Sequence, residues 1–267
     1  MRNNRHSEYD PNLSSSSGES DSDEEENELG HLKTKKSYPS ISAIPRPATP
    51  PLPAPPSSQL RNSHSTLSFG VVCSSNINRS MEAHLVLTNA GLRVESYGTG
   101  SQVKLPGKSS MEPRVFKFGT PYSTMFDTLS REDYDFFCSN GVIQLCQRGA
   151  AVKASPTRWQ DTPSSMVTKH DVIIAFEERI FDAVVEDLQT REVTETFEPL
   201  HVICLDTKDN PTEAARQGRV ALELCWEIEE CGKKGELEEN LPLILEQFEA
   251  TKMSESLIKI LYQVCYL

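Results

Sequence analysis

Cys73 ends a short apolar run and is followed by Ser74-Ser75-Asn76-Ile77-Asn78-Arg79-Ser80. Five residues separate the cysteine from the arginine, enough for a loop to curl until both side chains reach one bound anion. A loop between a strand and a helix N-terminus aims successive backbone N–H groups at a point, and the helix dipole favours negative charge there. The spacing therefore predicts a phosphate site cradled by Ser74, Ser75, Asn76, Ile77, Asn78, Arg79 and Ser80. Arg79 clamps two oxygens through its rigid fork, and the Cys73 sulfur lies beneath the phosphorus. The loop donors and the arginine's charge favour the thiolate, the nucleophilic form, and Ser80 can add a hydroxyl donor to it. Of the seven cysteines, Cys73 alone has an arginine six positions later. A cysteine at a strand end is more usually buried and inert, so the serine after the arginine and the flanking elements carry the reading.

Attack of a thiolate on a phosphoester expels an alkoxide or phenoxide, which needs a proton. A carboxylic acid can give it, and the resulting carboxylate can then activate the water that completes the reaction. Asp206 and Asp209 follow the last short apolar run, 200–205. If that run is a strand parallel and close to the first, both lie at the edge of the Cys73 loop. Asp209 is the favoured acid and Asp206 the alternative. Either can instead be a turn or cap residue. Lys104-Leu105-Pro106 is placed on the same edge as a substrate-binding candidate. His84 has no second ligand at metal spacing, so neither metal nor cofactor is expected.

The elements that must position these groups are legible as periodicities. Residues 67–73 read as a strand, and Ser80 to Ala90 as a helix with Met81, Leu85 and Thr88 on one face and Gly91 at its end. Leu92 to Tyr97 reads as a second strand, and 101–113 as loop. Pro121 to Leu129 and Arg131 to Phe137 read as helices divided by an N-cap at Ser130, and Val142 to Arg148 as another. Residues 154–165 read as irregular. A buried strand covers 171–176, and Ile180 to Leu188 is helical with Phe181, Val184, Val185 and Leu188 as its stripe. After the strand 200–205 come helical patterns over Thr212 to Glu230 and Leu241 to Tyr266. Strands alternate with helices four times. This predicts an α/β three-layer sandwich with a mostly parallel open sheet, and the Cys73 loop at the carboxyl end of its first strand, where such sheets bind ligands.

The 267 residues carry a net charge of −12, which argues against nonspecific binding to nucleic acid or an anionic membrane. No signal-peptide pattern or membrane-length apolar run is present. An odd number of cysteines without a CxxC pair fits a reducing compartment. Residues 1–65 combine a serine run, an acidic stretch and a proline-rich stretch with few large apolar side chains, so they are expected to be a disordered tail. Thr49-Pro50 in it is a candidate phosphorylation site. Residues 66–267 form the expected catalytic domain.

Val72 to Asn76 and Asn78 to His84 resemble the loop of the RNA polymerase II carboxy-terminal-domain phosphatases that act on the fifth-position serine of the heptad. Gly98-Thr99-Gly100, Val103 to Gly107, Glu177-Glu178-Arg179, Val184 to Leu188, Asp206 and Asp209-Asn210 are similar in the same order. The resemblance covers about residues 66–267. It implies a fold like the low-molecular-weight tyrosine phosphatases, Cys73 as nucleophile, phosphate binding by Ser74 to Arg79 and an acid at Asp209. It also implies a phosphoserine-proline substrate with the proline cis, a polymerase C-terminal-domain peptide and a cleavage and polyadenylation scaffold as partners, and a nuclear role in transcription termination and mRNA 3′-end processing. Ile77 stands where the family usually has Gln, and Ala175-Phe176 replaces its usual residues before Glu177. Two other readings compete: a low-molecular-weight tyrosine phosphatase, and a non-catalytic phosphopeptide-binding paralogue. Arsenate reduction is disfavoured by Asn78, where a second cysteine often stands.

Overall fold

The computed structural model describes residues 65–109, 111–192, 197–253 and 259–267. The expected tail, Thr49-Pro50 included, lies outside the described residues except for Ser65.

Strand β1 (Ser68–Cys73) is the element on which the site is built. Side chains alternate across a strand, and β1 feeds two cores in this way: Phe69 and Val71 enter one, Val72 the other. Its start is fastened by two carboxylates. Buried Glu229 accepts from the Leu67 N–H (3.1 Å), and Asp171 accepts from the Ser68 N–H (2.7 Å).

The chain continues through α1 (Arg79–Asn89), β2 (Arg93–Gly98), β3 (Val103–Leu105), β4 (Arg114–Phe116), α2 (Tyr122–Ser139), α3 (Val142–Val152) and the single turn α4 (Ser164–Val167). It then forms β5 (Val172–Ala175), α5 (Glu178–Thr190), β6 (Pro199–Leu205), α6 (Pro211–Gly232), α7 (Leu237–Met253) and β7 (Ile260–Tyr266). The main sheet has the order β2-β1-β5-β6-β7. Its first four strands are parallel, and β7 pairs antiparallel with β6. Parallel neighbours need crossovers, and these place helices on both faces. Residues of α1, α6 and α7 cover Phe69, Val71, Ile174 and Ile203, while α5 and Trp159 cover Val72, Ile173 and Val202. The expected mostly parallel α/β sandwich is the fold observed.

A third core lies outside the sheet. Antiparallel β3–β4 with α2 and α3 forms a cap that buries Leu105, Tyr122, Met125, Phe126, Phe137 and Ile143. Ile77 from the Cys73 loop and Met81 from α1 enter the same cluster.

Five local expectations are corrected. The pattern over Leu241 to Tyr266 is a helix and then a strand, because Ile260 to Tyr266 is a β-branched and aromatic run that completes the sheet edge. The loop 101–113 contains β3. The break in α2 falls at Asp133, whose φ/ψ of −165°/81° is not helical and whose carboxylate caps the Phe136 N–H at 3.2 Å. Ser130 is buried and caps nothing. On α1 the buried positions include Met81, Val86 and Leu87, while Thr88 is exposed.

The packing of the cap can be probed at Gly149 of α3, where a Cβ would lie 2.5 Å from the Tyr122 ring. Gly149→Ala gains helix propensity but overpacks the cap, and the second effect dominates, for a net loss of about 1–2 kcal/mol. In thermal melting this corresponds to a Tm drop of about 2–8 °C; a Tm at or above the wild type would show that the cap yields freely. Acid probes two buried histidines. Burial lowers the pKa of His84 and of His170 to about 4, with Lys153 adding to the effect at His84. The unfolded chain takes up both protons near pH 6.5. Between about pH 6.5 and 4 the unfolded state therefore binds more protons, and stability falls as pH falls, by on the order of 1–3 kcal/mol per histidine. His84→Gln should flatten the dependence of Tm on pH in that window, and an unchanged slope would refute the assignment.

Candidate active site

The Cys73 loop occupies residues 74–78, between the end of β1 and the start of α1. In a trans peptide unit the C=O and the N–H point to opposite sides, so fixing a carbonyl aims the next residue's N–H. The loop carbonyls are fixed one after another. Cys73 O accepts from the Thr99 N–H (3.0 Å) and Ser74 O from the Gly100 N–H (2.9 Å). Asn76 O accepts from the Tyr122 hydroxyl (2.5 Å). Ile77 O and Asn78 O each accept from Arg148 (2.8 Å). The N–H groups of Ser74, Ser75, Ile77, Asn78 and Arg79 are turned the other way. Among the described residues, none of the amides of 74–78 donates to an acceptor in the chain. Asn78, the N-cap of α1, supplies no side-chain cap either. The helix N-terminus thus presents unused donors of the kind that bind an oxyanion.

Sharp curvature needs Asn76, whose φ of 53° lies in the left-handed region that asparagine tolerates best among the larger residues. Its amide is held at both ends. Oδ1 accepts from the Thr157 N–H (3.0 Å), which leaves Nδ2 to donate to Ser80 Oγ (3.0 Å). The Ser80 hydroxyl proton is then free to point at Cys73 Sγ, 3.1 Å away. Tight nesting of β2 against the loop requires Gly98, where a Cβ would lie 2.8 Å from Ser74 O and 2.9 Å from Asn76 N.

Arg79 is 2% exposed and anchored at the ends of two strands. One terminal nitrogen donates to Phe176 O (3.1 Å), Glu177 Oε2 (2.9 Å) and Thr207 O (2.8 Å). The other donates to Asp209 Oδ2 at 3.3 Å. Among the described residues its buried Nε has no partner. Glu177 also receives Arg179. Partial burial opposes ionisation of Glu177, but the hydrogen bonds from Arg179 and Arg79 outweigh it and hold this carboxyl below the usual range.

Sheet order brings Asp209 here: β6 is parallel to β5 and β5 to β1, so the segment after β6 leaves on the loop's side. Asp209 Oδ1 accepts from Asn78 Nδ2 (3.0 Å), and the carboxylate is 55% exposed. Asp206 is exposed, and its carbonyl is taken by Gln217 Nε2 (3.2 Å). Asn210, not Asp209, caps α6, accepting from the Glu213 N–H at 2.9 Å. The structure thus brings Cys73, Arg79, Ser80 and Asp209 together, and leaves Asp206 outside that set of contacts. Lys104 adjoins the loop through its N–H, which donates to Ser75 Oγ (3.2 Å), and Pro106 is exposed. Leu105 is 1% exposed, so its side chain belongs to the cap core. The same holds for Ile77, at 3%.

Arg148, Tyr122 and Thr157 hold the loop, and none is marked in the sequence by motif or spacing. His84 is buried and hydrogen-bonded to Ser96 (2.9 Å), a packing role. Burial lowers the pKa of Arg148 and the adjacent Glu82 carboxylate opposes this, with Nη1 donating to Glu82 Oε2 at 2.7 Å.

Comparison with known proteins identifies the family. The family model described as Ssu72-like protein matches residues 67–267. The RNA polymerase II C-terminal domain phosphatase ssu72 of Schizosaccharomyces pombe is 41% identical over 184 residues, 69% of this chain and 90% of that protein. The Homo sapiens protein of the corresponding name is 40% identical over 185 residues, 69% of this chain and 91% of its own. Among solved structures, Drosophila melanogaster Ssu72, in a complex with Symplekin and a cis peptidomimetic phosphoserine peptide of the polymerase C-terminal domain, superposes with a TM-score of 0.69. That match has 33% identity and covers 76% of this chain and all of the other. The family model spans residues 67–267 and the relatives are 40–41% identical over 69% of the chain: this chain belongs to the Ssu72 family.

Proposed function

We propose that this chain is a cysteine-dependent serine phosphatase of the RNA polymerase II C-terminal domain, acting on phosphoserine-proline sites. One observation carries the reading: Cys73, Arg79 and Asp209 lie at the carboxyl ends of parallel strands of one sheet edge, beside a loop whose backbone donors are unused among the described residues. The relatives' names and the fly complex supply the substrate class and the scaffold partner.

The chemistry runs in two steps. Phosphate oxygens take the loop N–H groups and the Arg79 fork, and the Cys73 thiolate attacks phosphorus. The bond to the seryl oxygen breaks, and Asp209 gives that oxygen its proton. Asp209, now a carboxylate, takes a proton from water as the water oxygen attacks the phosphocysteine, and inorganic phosphate leaves as the thiolate is restored. Arg79 is already seated by Phe176, Glu177 and Thr207, so little ordering is needed at the moment of reaction. Phe176 contributes its backbone oxygen, and this explains how a changed side chain before Glu177 is tolerated. Residues 66–267 are the catalytic domain in this reading, the place of action is the nucleus, and the process is transcription termination and mRNA 3′-end processing.

Steady-state assays on heptad peptides phosphorylated at single positions test the reading. Cys73→Ser should abolish turnover. Asp209→Asn should slow a phosphoserine peptide by about 10²- to 10⁴-fold, and an aryl phosphate far less because its leaving group needs no proton. Asp206→Asn should stay within about twofold of the wild type. Preference for phosphotyrosine, or a Cys73→Ser protein with undiminished activity, would overturn it.

A further inference from the structure

The Glu82–Arg148 pair is an ion pair between two helices, but it accounts for only one of the guanidinium's terminal nitrogens. The other turns into the Cys73 loop. Nη2 donates to Ile77 O and Asn78 O, both at 2.8 Å, and lies 3.3 Å from Asn78 Oδ1. The Arg148 side chain is 15% exposed and that of Glu82 11%. Arg148 is therefore a largely buried cation on the carbonyl side of the loop, opposite its unused backbone donors.

This one contact fixes two orientations. The first is that of peptide planes. Holding Ile77 O, and sharing Asn78 O with the Glu82 N–H (2.9 Å), turns the N–H groups of Asn78 and Arg79 to the loop's other side. The second is that of an amide. With Oδ1 against the guanidinium, Asn78 presents Nδ2 to Asp209 Oδ1 at 3.0 Å. The flipped amide would set two donors against each other at Arg148 and two acceptors against each other at Asp209, so the charge of Arg148 selects one orientation. The chain of contacts Glu82–Arg148–Asn78–Asp209 joins α1, α3, the loop and the segment after β6.

We infer that Arg148 is a positioning residue that sets both halves of the site together, aiming the loop donors at the phosphate and holding the Asp209 carboxyl through Asn78. The inference rests on the phosphatase reading and adds to it a residue that touches neither substrate nor leaving group. A lysine at 148 keeps the charge but is a single point donor without a planar fork, and it cannot serve two carbonyls, an amide oxygen and Glu82 together.

The test uses the full chain and three readouts: inhibition by vanadate, kcat/KM for a phosphoserine heptad peptide, and kcat/KM for nitrophenyl phosphate. In Arg148→Lys, checked for folding by circular dichroism, the vanadate inhibition constant should rise about tenfold. Turnover of the peptide should fall about tenfold further than turnover of nitrophenyl phosphate, because a misplaced acid matters only for the poor leaving group. Asn78→Ala cuts the link to Asp209 and leaves the backbone carbonyls held. It should reproduce the leaving-group effect while losing less vanadate affinity than Arg148→Lys, and the leaving-group effect keeps the proposal testable if Arg148→Lys fails to fold. A folded Arg148→Lys with wild-type vanadate affinity and an unchanged ratio of the two substrates overturns the inference, as does an Asn78→Ala that leaves the ratio unchanged. A wild-type chain inert on both substrates overturns the phosphatase reading instead, and vanadate affinity then judges the clamp directly by equilibrium titration. Absence of vanadate binding by the wild type overturns both.

Discussion

A peptide unit carries one donor and one acceptor on opposite edges of a rigid plane. A backbone cradle for an anion is therefore built by holding its carbonyls, which lie outside the cradle. In this chain the carbonyl holders come from three places, the turn after β2 through Thr99 and Gly100, α2 through Tyr122 and α3 through Arg148, while the Thr157 N–H grips the Asn76 side chain. Local sequence supplies the left-handed turn at Asn76 and the small residues Ser74 and Ser75. Tertiary structure supplies the aim of the donors. Gly98 belongs to the same constraint, since only the absence of a side chain lets β2 approach the loop so closely.

Sheet topology does for the side chains what the pinned carbonyls do for the backbone. Because β1, β5 and β6 run parallel and adjacent, their carboxyl ends deliver Cys73, Phe176–Glu177 and Thr207–Asp209 to one edge. Arg79 crosses these ends and hydrogen-bonds at each of the latter two. Burying a guanidinium is costly unless its donors are matched. Here two main-chain carbonyls and a carboxylate meet one terminal nitrogen, leaving Nε and most of the other terminal nitrogen for an oxyanion.

Much of this is legible in the sequence because it is local. The run ending at Cys73, the spacing to Arg79, and the apolar strands near 172 and 200 are short-range patterns, and they yield the parallel sheet and place Asp209. What stays hidden is of two kinds. Strand β7 is concealed because its run follows a strong helical pattern and lies on the sheet edge, where burial is uneven. The face of α1 misleads because the helix is wedged between the sheet, α6 and the cap, and buried on more than one side. Arg148 and Tyr122 are hidden for a different reason. Each is an ordinary residue in a helical pattern, and its role exists only through contacts 46 to 71 residues away in sequence. Ile77 shows the converse. A departure in the loop puts substrate preference in question, yet its side chain packs into the cap.

The cap's separate core has a consequence for how activity and folding are related. Ile77 and Met81 pack with α2 and α3 rather than with either core of the main sheet, and two of the loop's carbonyl holders, Tyr122 and Arg148, stand on those helices. The cradle thus depends in part on a small peripheral unit whose longer helix is broken at Asp133. Units of that kind open at lower free energy than a central sheet. The sheet sets where the cradle stands, and an opening confined to the cap would release the Asn76, Ile77 and Asn78 carbonyls while the parallel strands remain paired.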